Sequence, residues 1–221
     1  MTNSTDKAKR QKRPRKIQAR TIETKTKLLA AAAKEFAEKG FEGASTRSVA
    51  SRAGVPHTLL TYHFESKDGL WKTVVTNMND RLYAMYQSRL EAMSDAESHL
   101  RLRLILEGFV KFSFENPDFH WIMSHEASRA GERFNWLRDE HIHTFFFTVG
   151  QLIQDSQKSG NFVEGDPKHL IYLFIGCVTR IFMIRNEVED ILELSLDDDR
   201  FIRRHTDLCM TLFFRYPDID A

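Results

Sequence analysis

The chain has no apolar run long enough to cross a bilayer: its best candidate, Leu170 to Ile184, is interrupted by Thr179 and Arg180, whereas a spanning helix needs about 20 consecutive apolar residues. The first residues lack the apolar core that a secretion signal carries. Two cysteines, Cys177 and Cys209, cannot form a disulfide framework and have no zinc-ligand spacing, so a reduced cytosolic compartment is the natural reading. No alternating apolar and polar stretch of useful length suggests a strand, and no internal repeat is present. A phosphate-cradling glycine loop and a nucleophile elbow are both missing, and the His and Glu residues follow no catalytic spacing. The expectation is therefore no membrane association, no enzyme activity, no cofactor and no metal.

What is present is a strong division of charge. The formal net charge is only +1, yet residues 1–64 carry 14 Lys/Arg against 5 Asp/Glu, and residues 65–221 carry 18 against 26. The basic groups concentrate early, in Lys7, Lys9, Arg10, Lys12, Arg13, Arg15, Lys16 and Arg20. A basic end on an acidic body suggests that the first part approaches a polyanion. A solvated tail with no partner has the same composition, so the segment that follows decides between the two. Residues 1–20 are polar and read as a flexible tail.

From Thr21 the pattern is helical throughout. Leu28, Leu29, Ala32, Ala33 and Phe36 recur at spacings of three and four, and Gly40 ends that helix. Thr46 is a cap-type residue for a short second helix reaching Ala53. Gly54 permits a sharp turn, and Pro56 suits the first turn of a third helix that ends near Phe64. Ser66 is placed to cap a long fourth helix with Leu70, Trp71, Val74, Val75, Met78, Leu82 and Met85 as its apolar stripe. Further helices are expected over roughly 96–115, 118–130, 132–158 and 167–186, the last opened by Asp166-Pro167. A final helix starts near the acidic run Asp197 to Asp199 and ends before Pro217. The expected fold class is all-α, with a basic tail (1–20), a three-helix helix-turn-helix domain (21–66) and a larger helical domain (67–221).

Two short helices joined through Arg52-Ala53-Gly54-Val55, behind a longer supporting helix, form a helix-turn-helix. Residues 24–71 resemble the N-terminal domain of the tetracycline-repressor (TetR) family of bacterial transcription regulators. The resemblance rests on Leu28-Leu29-Ala30-Ala31-Ala32, Phe36, Lys39-Gly40-Phe41, Ser45-Thr46, Val49-Ala50, Ala53-Gly54-Val55, Leu60, His63-Phe64 and Ser66-Lys67-Asp68-Gly69-Leu70. Beyond residue 72 the likeness is one of architecture. Pro56, Thr58 and Thr61 depart from the family's usual Ser, frequent Gly and frequent phosphate-binding Tyr, although Tyr62 follows one position later.

A recognition helix presents its N-terminal side chains to base edges in the major groove. His57, Thr58 and Thr61 are the short outward polar positions and are candidates for base contact, His toward guanine and Thr toward a thymine methyl. None is a bidentate Arg reader, so DNA shape is expected to contribute to specificity. Thr46, Arg47, Tyr62, His63 and Lys67 are candidates for phosphate contact, Thr46 and Lys67 because they lie at helix N-termini. Alternatively, Thr46 only caps while Tyr62 and His63 only pack. Leu59, Leu60 and Phe64 are assigned to the core.

The resemblance implies a C-terminal domain that binds a small molecule and a homodimer built from the last two helices, acting on double-stranded operator DNA, most often as a repressor. For the dimer face the candidates are Leu170, Leu173, Phe174, Cys177, Ile181, Phe201, Leu208 and Leu212; a monomer core would use the same residues. Residues 65–221 hold 14 of the 17 phenylalanines and all three tryptophans. Met78, Leu82, Phe109, Phe112, Trp121, Phe145 and Phe182 are candidates to line a pocket for a hydrophobic or aromatic effector, or else they fill the core. His120, His125, His141 and His143 cluster near Glu126, but His141 and His143 point about 200° apart on a helix. Glu126 and Glu132 also have Arg129 and Arg133 at hand for pairing.

Overall fold

The computed structural model describes the backbone of residues 4–215 and the side chains of residues 20–215. The described residues form helices and one isolated antiparallel bridge, between Phe162 and Phe214. The chain divides into two compact units between Thr76 and Asn77.

In the small unit, α1 (Ser4–Gly43) is helical from its first described residue, where the composition had suggested a flexible tail over 1–20. The Ala, Lys, Arg and Gln residues of that stretch are good helix formers, which a reading by apolar periodicity overlooks. The basic side chains of residues 1–19 lie outside the described residues. Gly40 has φ 65° and ψ 177°, a conformation reserved for glycine, and it breaks the helix where the sequence placed its end.

The next helices are α2 (Thr46–Ala53) and α3 (His57–Phe64). Between them Gly54 adopts φ 67°, its N–H bonds Ser51 O at 3.1 Å, and the Val55 N–H bonds Ala50 O at 3.0 Å. This paired closure satisfies the last carbonyls of α2 and reverses the chain. Leu28, Ala32 and Phe36 of α1, Val49 and Ala50 of α2, and Leu60 and Phe64 of α3 form the core with Leu70, Trp71, Val74 and Val75. The last four lie on α4 (Lys67–Ala92). Phe41 stacks on Phe36 at 6.1 Å and meets the edge of Trp71 at 6.3 Å. The first turns of α4 therefore complete the small unit, and the division falls later than residue 66.

The larger unit continues with α5 (Ser98–Glu115), α6 (Pro117–Ala127), α7 (Glu132–Leu137), a π-helical segment (Arg138–Ile142) and α8 (His143–Lys158). It ends with α9 (Pro167–Met183), α10 (Arg185–Leu192) and α11 (Asp199–Phe213). α5 is its central element, burying Leu102, Ile105, Leu106, Phe109, Val110 and Phe112 and packing on α6, α8, α9 and α11. As expected, Asp166 caps α9 by accepting the His169 N–H at 2.9 Å, with Pro167 at the first helical position. Asp198 caps α11 through the Arg200 N–H at 2.8 Å. Helix α10 was not foreseen; its Arg185 pairs with Glu189 and Asp197. No single helix among the described residues is long and apolar enough to cross a membrane.

The link from α3 to α4 is the tightest in the small unit. Glu65 has φ 59° and ψ −46°, and the Ser66 N–H returns to Phe64 O at 2.5 Å, a γ-turn of the strained hand. A Cβ on Gly69 would stand 2.6 Å from that same Phe64 carbonyl. Replacing Gly69 by Ala is expected to destabilise the protein by about 1–3 kcal/mol through overpacking. Urea denaturation of the full chain measures this, and an unchanged midpoint would show that the approach imposes no constraint.

Candidate nucleic-acid interface and helical core

The position of α3 is set from behind. Leu60 and Phe64, four residues apart, face the core, each burial contributing about 1.5–3 kcal/mol. The remaining face is open: His57, Thr58 and Thr61 are exposed, and Tyr62 is 79% exposed. Leu59, assigned to the core from sequence, is 38% exposed instead. It lies about 100° round the helix from Leu60, beyond the side of α3 that the core covers. Tyr62 and His63 rings meet edge-on at 5.3 Å, with His63 half-buried beside Phe64.

Thr46 does not cap α2. Ser45 holds the cap position with φ −128° and ψ 131°, and no side chain bonds the first turn. The Thr46 hydroxyl is instead 3.1 Å from His57 Nε2, joining the N-termini of α2 and α3. Arg47 is exposed beside it. Lys67 Nζ donates to Glu42 O at 3.2 Å and lies 4.6 Å from the Phe41 ring centre. That contact holds the start of α4 against the end of α1.

A buried carboxylate fixes α2 on α1. Glu35 is fully buried and accepts from Lys39 at 2.8 Å and from Arg52 at 3.3 Å. Burial opposes its ionisation, but hydrogen bonds from the Lys39 and Ser48 side chains, the Lys39 charge and the Ser45 N–H outweigh it, holding its pKa below the ordinary 4.5. Arg52 also grips Glu38 with both terminal nitrogens, at 2.8 and 2.5 Å.

In the larger unit the predicted pocket residues separate into groups. Phe109 and Phe145 lie 6.0 Å apart, and Phe109 also meets Phe174 and His120. Phe112 packs on Phe119, Trp121 on His125, and Phe182 on Phe114 and His205. Met78 and Leu82 are buried on α4. Sequence reading missed Tyr86, which is buried 5.8 Å from Phe145. It continues the apolar stripe four residues after Leu82, a signal that was available. Of the histidines, His120 is buried, His125 and His141 are half-buried and His143 is exposed. Glu126 pairs with Arg133 at 3.1 Å. Among the described residues no group of three or more His, Cys, Asp or Glu gathers to hold a metal.

The candidate dimer residues also divide. Leu170 and Phe174 are buried within the single chain and serve its core, while Cys177, Ile181 and Phe201 are half-buried. Leu173, Leu208 and Leu212 are 52%, 58% and 62% exposed, and Tyr172 is exposed beside Leu173. The two cysteines approach to 3.7 Å between α9 and α11.

A supported recognition helix behind a glycine turn defines a DNA-binding protein of the helix-turn-helix class. Residues 28–74 match the model of the bacterial regulatory proteins of the tetR family. The transcriptional repressor KstR2 of Rhodococcus jostii (strain RHA1) is 27% identical over 161 residues, 68% of this chain and 74% of that protein. The transcriptional regulator RutR of Escherichia coli (strain K12) is 26% identical over 193 residues, 84% of this chain and 87% of that protein. Among solved structures, AibR in complex with isovaleryl coenzyme A and operator DNA superposes with a TM-score of 0.68. It is 17% identical and covers 86% of this chain and 97% of its own, a likeness of fold alone. Over residues 28–74 the chain thus carries the DNA-binding domain of the tetR-type bacterial regulators, and most of its length is similar to transcriptional regulators of that kind.

Burial lowers the pKa of His120 from the ordinary 6.5 to about 4. The unfolded chain thus binds a proton that the folded chain refuses. Stability is expected to fall as pH drops from 6.5 toward 4, and to lose no more from this group below that. Thermal melts from pH 7.5 to 4 test this: His120→Phe should lessen the decline, and an identical profile would remove His120 as its source.

Proposed function

We propose that the chain is a homodimeric repressor that reads operator DNA with α3 and releases it when a small, apolar or aromatic molecule binds in the larger unit. The observation that carries the DNA half is the open face of α3. Its buried side is fully used by Leu60 and Phe64, leaving His57, Thr58, Thr61 and Tyr62 to solvent. His57, Thr58 and Thr61 are assigned to base edges. Thr46, Arg47, Tyr62, His63 and Lys67 are assigned to phosphates, with the uncapped first turn of α2 offering N–H groups to an anion. The Thr46–His57 contact supports a shared role, since a change at one end of the pair moves the other. Leu59 adds an apolar group suited to a thymine methyl. The basic groups of residues 7–20, in the first part of α1, supply sequence-independent affinity. The domain assignment is a DNA-reading unit that includes the start of α4, followed by a ligand-binding and dimerisation unit.

The dimer is assigned to the exposed leucines of α9 and α11, because a two-half-site operator calls for two recognition helices. Relief by ligand follows the general logic of population shift, the ligand favouring a dimer whose recognition helices no longer match adjacent grooves. The complex of the distant fold relative AibR with an acyl coenzyme A and operator DNA supports this pairing of ligand and DNA.

Replacing Arg47 by Ala should weaken binding to every duplex alike and reduce the slope of log K against log salt by about 0.9. Replacing His57 or Thr58 by Ala should instead alter the sequence recovered from random duplexes. Uniform loss from all three would remove base reading by α3. Leu212→Arg should convert the dimer to monomer in sedimentation measurements and weaken operator binding. A dimer that survives it would place the interface elsewhere.

A further inference from the structure

The larger unit contains polar groups that its own fold leaves without protein partners. Tyr86 is buried and its hydroxyl meets no hydrogen-bonding group among the described residues, and the same is true of His120 Nε2. Leaving a buried donor or acceptor unmade is unfavourable, because the group has lost its water without gaining a partner. The two are linked through rings: Tyr86 to Phe145 at 5.8 Å, Phe145 to Phe109 at 6.0 Å, and Phe109 to His120 at 5.7 Å. One turn beyond Tyr86 on α4, Arg89 is half-buried and reaches over α5. Its Nη1 donates to Leu104 O at 3.1 Å and lies so close over Gly108 that a Cβ there would be 2.5 Å from it. No carboxylate pairs with this guanidinium among the described residues, and four of its five donors are uncommitted. Burial keeps the Tyr86 phenol protonated, with the Arg89 charge acting in the opposite sense.

We propose that the larger unit binds a small carboxylic acid with an aromatic or otherwise apolar body. Its carboxylate is received by Arg89 and the Tyr86 hydroxyl, and its body lies against Phe145 and Phe109. The inference rests on the ligand-responsive reading above and names the chemistry of that ligand. A single guanidinium with one neutral donor matches one negative charge and two acceptor oxygens. A phosphate dianion would bring a second charge into an aromatic setting with no second cation to meet it. His120, neutral at physiological pH, serves as a polar contact for a substituent at the far end of the body.

The test compares phenylacetate, 3-phenylpropionate and hexanoate with their primary amides, using calorimetry and operator occupancy. At least one acid is expected to bind tenfold or more tightly than its amide. Tyr86→Phe and Arg89→Gln should each weaken that acid by about tenfold or more, the range for a hydrogen bond to a charged group. Without ligand, Tyr86→Phe should melt at the same temperature as the parent or higher, because it removes only an unpartnered hydroxyl; a structural role would lower it. Equal binding of acids and amides, no binding by any acid, or acid binding unaffected by both variants overturns the proposal. Acid binding that leaves operator occupancy unchanged upholds this site and removes its effector role. Operator release by the uncharged amides, independent of Tyr86 and Arg89, upholds ligand response and overturns the assignment made here.

Discussion

The helix-turn-helix unit depends on one buried charge. Glu35 is withdrawn from solvent inside a small helical unit, and an unpaired carboxylate there would be strongly unfavourable. It is tolerable only while Lys39, Arg52, Ser48 and the Ser45 N–H all surround it. Those partners come from α1, the connection after it, and both ends of α2. Satisfying the charge therefore fixes where α2 sits on α1. The paired turn at Gly54 then fixes where α3 begins, and the Thr46–His57 contact ties the leading ends of the two helices. A DNA-reading surface needs such stiffness, since a recognition helix free to rotate would not present the same side chains to successive base pairs.

The larger unit follows the opposite principle. Its aromatic core is close-knit around Phe109, yet the buried Tyr86 Oη and His120 Nε2 beside that core have no protein partner among the described residues. A domain selected only for stability would replace them with apolar groups of similar shape. The proposed ligand site draws its polar anchors from these atoms, set among apolar walls. The π-helical segment Arg138–Ile142 falls in the same unit, between α7 and α8, and carries His141. Such insertions rotate the following turns relative to a regular helix.

Much of the architecture was legible because its signals are local. Gly40, Gly54, Ser66, Asp166-Pro167 and Gly160 punctuate the chain wherever a backbone conformation or a cap is needed, and the helices start or stop at each. The errors arose where several neighbours had equal claims. Ser45 and Thr46 are both cap-type residues, and only the position of His57 decides which hydroxyl is used elsewhere. Leu59 and Leu60 are chemically identical, and only the placement of α1 and α4 decides which faces inward. Helix α10 escaped notice because its eight residues are largely charged and bury no side chain completely. Leu170 and Leu173 carried the same expectation, yet one is core and the other exposed.

By itself, then, the sequence determined that the chain is all-helical, that a glycine turn joins two short helices, and that its basic groups gather at the DNA-reading end. Each of these follows from composition and from spacing along one segment. Tertiary structure alone decided that Glu35 is the anchor of the small unit, that Leu173, Leu208 and Leu212 remain uncovered, and that the unpartnered Tyr86 hydroxyl lies one turn from an Arg89 held only by the Leu104 carbonyl among the described residues. These are properties of neighbours distant in sequence. Whether a polar atom is satisfied depends on which segments surround it, and no local pattern encodes that.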